Sequence, residues 1–116
     1  MTAMTAAAMA RNNNSPYVRM ADIEIDPAQL DAYKAAVTAQ IEAAIRLEPG
    51  VLALYSVADK DNPAHVTVFE IYASIEAYRA HLETTHFKAY KAASQDMVRS
   101  LKLRETVPIV LGDKRS

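Results

Sequence analysis

The sequence predicts a single α+β domain whose elements run β-α-β-β-α-β, an antiparallel sheet with its helices on one face. Three observations carry that prediction. Apolar residues alternate at a period of two in several short stretches, they recur at a helical period in two longer ones, and clusters of turn formers separate the stretches. The length of 116 residues suits one domain. A chain of that size buries roughly 65% of its unfolded surface, enough to hold a core without covalent staples.

Residues 1–15 read as an N-terminal tail, 16–112 as the folded domain and 113–116 as a polar C-terminal tail. The Ala- and Met-rich start lacks the large aliphatic run of a signal-peptide core. Tyr17 to Ile25 then reads as a strand, with Tyr17, Arg19, Ala21, Ile23 and Ile25 on one face and Val18, Met20, Asp22 and Glu24 on the other. Asp26-Pro27 starts a helix, because Asp caps free N–H groups and Pro is accommodated in the first turn. Leu30, Tyr33, Val37, Ile41, Ala44 and Ile45 form its apolar stripe, with Gln40 among the polar residues outside it, and the helix is expected to reach about Leu47.

Glu48-Pro49-Gly50 breaks that helix, Gly supplying the turn geometry. Val51 to Ala58 and Val66 to Ala73 are the next two strands, joined through the turn-forming run Asp59 to Pro63 as an antiparallel hairpin. Ser74 caps a short helix that turns Ile75, Tyr78 and Leu82 inward. Thr84 or Thr85 interrupts it and starts another, with Phe87, Tyr90, Ala93, Met97 and Leu101 at helical spacing. Leu103 to Leu111 is the expected last strand, with Pro108 implying an edge or a bulge. This order is the ferredoxin-like arrangement. The central hairpin is apolar on both faces, so the face without helices is expected to be covered by a second copy, giving a homodimer of dimeric α/β-barrel type.

Several function classes are excluded or disfavoured. There is no cysteine, hence no disulfide and no thiolate metal site; that usage suits a cytoplasmic protein. A net charge of −1 with interspersed signs offers no basic face for nucleic acid. No apolar run approaches the roughly 20 residues of a membrane span. Two glycines cannot build a P-loop or a dinucleotide fingerprint. His81 and His86 lie five apart across a helix break with no third ligand at a recognisable spacing, so neither a metal nor another cofactor is expected.

Particular residues nevertheless form a familiar series: Glu48-Pro49-Gly50, Phe69-Glu70-Ile71-Tyr72, Ala77 with His81, and Thr85-His86-Phe87. In this order the chain resembles the antibiotic biosynthesis monooxygenase (ABM) superfamily, and within it the quinol monooxygenase type, from about Tyr17 to Leu111. The resemblance implies a dimeric ferredoxin-like domain with a pocket between sheet and helices. It also implies dioxygen chemistry on a small aromatic or quinol-like substrate without metal or flavin. Other branches degrade haem or isomerise small molecules, so fold alone does not fix the reaction. Tyr72 stands where many relatives have Trp, and the first strand offers Ala21 and Asp22 rather than the Asn of the haem-degrading branch.

The candidate chemistry follows from residue type. A neutral imidazole, with an ordinary pKa of about 6.5, can take a phenolic proton near neutral pH, and the phenolate gives up an electron more readily than the phenol. His81, one turn after Tyr78, is the preferred base and His86 the second candidate. Tyr72 shares a strand face with Glu70, so one could donate to a developing oxyanion while the other orients the substrate or pairs with Arg19 or Arg104. Arg79 or Arg104 could steady a phenolate, and Tyr55, Tyr78, Phe87 and Tyr90 could stack on a planar ligand, although aromatic stripes at helical spacing are more often core. The competing readings are an isomerase of a small carbonyl compound in the same pocket, and a dimeric binding or stress-associated module without catalysis.

Overall fold

The computed structural model describes residues 15–114 of the chain. The expected N-terminal tail lies outside the described residues apart from Ser15, as do the last two residues of the C-terminal tail. The elements are β1 (Tyr17–Ile25), a 3-10 turn (Pro27–Gln29), α1 (Leu30–Leu47), β2 (Val51–Ala58), β3 (His65–Tyr72), α2 (Ile75–Leu82), α3 (Thr85–Ser94) and β4 (Val98–Thr106). The four strands form one antiparallel sheet in the order β2-β3-β1-β4. That is the ferredoxin-like α+β arrangement, with β3 inserted between the two strands that α1 connects.

Local chemistry places the elements. The Asp26 carboxylate accepts the Ala28 N–H at 3.1 Å and opens the turn into α1. Ser74 accepts the Ala77 N–H and starts α2, and Thr84 accepts the Phe87 N–H and starts α3. Of the two threonines considered as caps, Thr84 is the one used. Gly50 is not needed for a left-handed backbone, since no described residue has positive φ. Its role is close approach: a Cβ there would stand 2.6 Å from the Ala77 Cβ. The turn after α1 is thus pressed onto the first turn of α2.

Two expectations from the sequence are corrected. The second helical stretch ends at Ser94, and the last strand is Val98–Thr106, not Leu103 to Leu111. Met97 and Leu101 are four apart, so a helical pattern can run through them, but Leu101 and Leu103 also alternate with Ser100, Lys102 and Arg104. Pairing with β1 decides between the two periods, because Leu101 stands opposite Ile23 and Leu103 opposite Ala21. Pro108 falls beyond the strand. On α1 the buried positions are Tyr33, Val37, Gln40 and Ala44, whereas Ile45 is exposed. The helix therefore turns Gln40 into the interior, against the expectation.

The core lies between sheet and helices. Ala21, Ile23 and Ile25 of β1 with Val66 and Val68 of β3 meet Tyr33 and Val37 of α1, and Val51, Leu54 and Tyr72 meet Ala44 nearby. The other sheet face is divided. Toward one end the cross-strand register groups Met20, Phe69, Ile71, Ala53 and Tyr55, with Tyr55 stacked on Phe69, and Val57 extends the apolar run along β2 to the position opposite Thr67. At the other end Asp22 takes a hydrogen bond from Thr67 and faces His65 and Arg104.

Candidate active site

The turn after α1 and the break between α2 and α3 meet at one carboxylate. Glu48 Oε2 lies 2.8 Å from His81 Nδ1 and 2.6 Å from His86 Nε2. Gly50 explains the meeting, since its contact with Ala77 holds the start of α2 against this turn. His81 is only 2% exposed, packed between the rings of Tyr72 and Phe87 at centroid distances of 5.4 and 5.0 Å. With Nδ1–H donated to a carboxylate, the neutral ring carries its lone pair on Nε2. Glu48, His81 and His86 are also the group among the described residues that could hold a metal ion, their ligand atoms lying within 4.8 Å of one another. The third ligand missing from the histidine spacing is therefore supplied by the α1 terminus. Both imidazole N–H groups are equally well satisfied by the carboxylate alone.

His81 forms part of the wall of a cavity of about 270 Å³ between the sheet and the helices. Tyr72, Tyr78, Phe87 and Tyr90 give it aromatic walls, and Ala21, Ile23, Val37, Leu54, Val68, Leu82, Leu101 and Leu103 give it aliphatic ones. Its volume is at the small end for ligand sites and its lining is mostly apolar, which suits a molecule of one or two rings.

The polar groups on its walls are few. Glu70 lines the cavity and accepts the Tyr72 hydroxyl at 2.7 Å. Burial first, and then the neighbouring Glu70 charge, drive the Tyr72 phenol well above the ordinary tyrosine range, so it remains a neutral donor. Tyr90 shares a hydrogen bond of 2.8 Å with Tyr33, and burial raises both phenols likewise. Arg19, the register partner of Glu70, keeps its Nε 3.9 Å from that carboxylate and its guanidinium carbon 4.3 Å above the Tyr78 ring. Burial alone would lower its affinity for the proton, but the Tyr17 hydroxyl, Tyr78 and Glu70 more than offset this, and the group stays charged.

Of the residues singled out in the sequence, His81, Tyr72, Glu70, Tyr78, Phe87 and Tyr90 come together around this cavity. His86 reaches it through Glu48. Tyr55, Arg79 and Arg104 are not among its walls. Tyr55 and Arg104 belong to the opposite sheet face, where Arg104 meets Asp22 and the Met20 sulfur, and Arg79 is on the exposed side of α2. The cations on its walls are instead Arg19 and Lys91. Gln40, Arg19 and Glu48 were not assigned roles in the cavity from sequence. Signals existed for each: a glutamine on the helical period of Tyr33, Val37 and Ala44, an arginine on an apolar strand face, and an acid fixed beside a Pro-Gly break.

Fold and cavity together define a small ferredoxin-like domain with an aromatic pocket between its sheet and its helices. The family profile described as antibiotic biosynthesis monooxygenase matches residues 16–93, and the chain belongs to that family. A candidate antibiotic biosynthesis monooxygenase of Bacteroides thetaiotaomicron VPI-5482 is 48% identical, with a TM-score of 0.83, over 87% of this chain and 96% of that one. A candidate monooxygenase of Lactobacillus acidophilus NCFM is 29% identical, with a TM-score of 0.79, and the match covers 83% of this chain and 45% of that longer one. A protein of Nitrosomonas europaea, 23% identical over 81% of this chain and 99% of its own, shares the fold at a TM-score of 0.77. Among curated proteins none matches.

Proposed function

We propose that the protein is a cofactor-independent monooxygenase that oxidises a small phenol or hydroquinone with dioxygen. The observation that carries this reading is His81 on the wall of an apolar, aromatic cavity with Glu48 held against its Nδ1 from behind. Glu48 fixes the tautomer of His81, whose Nε2 takes the phenolic proton, and the carboxylate stabilises the imidazolium that results. Arg19 balances the phenolate, and the aromatic walls exclude water around it. For a quinol, one atom of dioxygen enters the ring and the other leaves as water. The substrate supplies all four electrons and becomes the hydroxyquinone. The protein contributes orientation, proton removal and a dry site.

The test is oxygen uptake by metal-stripped protein with a panel of hydroquinones and catechols, beside His81→Ala. Uptake above autoxidation that resists chelators and falls roughly 10²–10⁴-fold in the variant is expected for loss of a general base. Uptake abolished by EDTA would overturn the cofactor-free part, and turnover without oxygen would replace the reaction with an isomerisation.

The protein is further proposed to act as a homodimer. The apolar end of the sheet face without helices supports this, with Val57 62% exposed, as does the apolar stretch after β4, where Ile109 is 100% exposed. Sedimentation is expected to give a dimer at micromolar concentration, with Val57→Glu weakening it at least about tenfold while leaving the fold intact. A monomeric wild type would refute this part.

A further inference from the structure

Two polar atoms among the described residues are buried without a hydrogen-bond partner, Gln40 Oε1 and Arg19 Nε. Both side chains line the same cavity, and each residue is only 8% exposed. They approach it from different layers, Gln40 from α1 and Arg19 from β1. Unsatisfied buried polar atoms are rare in folded proteins because each loses its water without recovering a partner. Leucine would fit the Gln40 position with little change of volume and would remove that cost. A polar group kept there at the expense of stability therefore points to a ligand that satisfies it.

We infer that Gln40 and Arg19 are specificity-determining residues that together read two oxygens of one bound molecule, a hydroxyl at Gln40 and an anionic oxygen at Arg19. The hydroxyl is the group that fits Gln40 whichever way its amide is turned, because it can donate to the carbonyl or accept from the NH₂. The anionic oxygen fits Arg19 because, among the described residues, its one carboxylate partner is Glu70 at 3.9 Å, and that carboxylate is shared with the Tyr72 hydroxyl. Between the two oxygens the walls are aliphatic and aromatic, so the rest of the ligand is an apolar ring. This deepens the proposed reading of the cavity, since the phenolate of a substrate would be the anion at Arg19 and a second hydroxyl would meet Gln40. It concerns recognition, so it can be tested without turnover.

The experiment measures anaerobic binding of 3- and 4-hydroxybenzoate, which present a hydroxyl and a carboxylate at two spacings, against the matching methoxybenzoates. Wild-type protein is expected to prefer at least one hydroxybenzoate over its ether by roughly tenfold. In Gln40→Leu that preference should collapse toward unity, while affinity for the ether changes by less than about threefold and the melting temperature of the ligand-free variant rises. A merely structural glutamine would lower the melting temperature when replaced and leave the preference intact. Absence of the preference in the wild type, its survival in the variant, or no binding of any of these probes would each overturn the inference. Failure of oxygen uptake with the preference intact would instead remove only the monooxygenase reading.

Discussion

On the sheet face that carries the cavity, β1 and β3 are roofed by the three helices, whereas β4, on the same face, leaves Leu101 46% and Leu103 53% exposed. The polar groups of the cavity all come from the roofed side: Arg19 from β1, Glu70 and Tyr72 from β3, Gln40 from α1, Tyr78 and His81 from α2, and Tyr90 and Lys91 from α3. The β4 side contributes only Leu101 and Leu103. The contrast separates two requirements. Aiming a proton acceptor needs rotamers locked by close packing, and only the roofed side is packed well enough for that. Enclosing a ring needs only hydrocarbon, which a half-exposed edge strand can supply.

The largest effect should come from disturbing the aim without emptying the site. Glu48→Gln keeps the shape of the side chain but removes the charge that orients His81 and stabilises its protonated form. On the proposed mechanism kcat should fall roughly 10²–10⁴-fold with KM little changed, as loss of a general base or of its correct tautomer produces. Leu103→Ala, on the half-exposed wall, should change kcat by no more than a few-fold. Steady-state oxygen uptake decides, and comparable losses in both variants would erase the distinction between the two sides.

The next effect is on stability, and the chain's two glycines mark the same contrast. Gly50→Ala would place a Cβ 2.6 Å from that of Ala77, while a Cβ at Gly112 meets nothing within 4 Å. Overpacking at Gly50 is expected to cost about 1–3 kcal/mol, and Gly112→Ala less than about 0.5 kcal/mol. Urea denaturation of the two variants measures the difference. Combining Gly50→Ala with Ala77→Gly should recover part of the loss, offset by about 0.5–1 kcal/mol for a glycine inside a helix.

The order of elements along the chain and most of their boundaries were legible because periods of two and 3.6 are written by burial, and burial is strong on the roofed side. β1, β2 and the end of α1 fall where the alternation and the Glu48-Pro49-Gly50 break put them. The reading failed at β4, where weak burial leaves the alternation of Leu101 and Leu103 as a faint signal that a helical spacing from Met97 can override. Within the site, residue type was a good guide to His81 and Tyr72 but a poor one to Gln40. Treating a polar residue as outward-facing assumes that the interior is only core, and this position belongs to a ligand cavity as well. Glu48 was hidden for another reason: its partners lie 33 and 38 residues away, a juxtaposition no local pattern encodes.

Asp26 offers the mildest test, since it is an acid that does for the exposed side what Glu48 does for the interior. Its carboxylate takes hydrogen bonds from the Gln29 side chain at 3.1 Å and the Ala28 N–H at 3.1 Å, and it meets Arg99 of β4 at 3.2 Å. Those contacts, Gln29 foremost, hold its carboxyl below the ordinary Asp value. A carboxyl lowered in the folded state binds its proton more weakly there than in the unfolded chain. Its stabilising contribution is therefore fully present above the unfolded pKa of about 3.9 and is lost as pH falls through the folded value. Asn caps a helix as well as Asp does, so Asp26→Asn should leave stability at pH 7 little changed. Below about pH 4 the wild type should fall behind the variant, because only the wild type has a contribution from Asp26 to lose. Denaturation curves collected from pH 7 down to pH 2 measure this directly, and Asp22, whose carboxyl is lowered chiefly by Thr67, cancels because both proteins retain it. Stability curves that run parallel through the acid range would show that the tie between the α1 entry and β4 is not electrostatic.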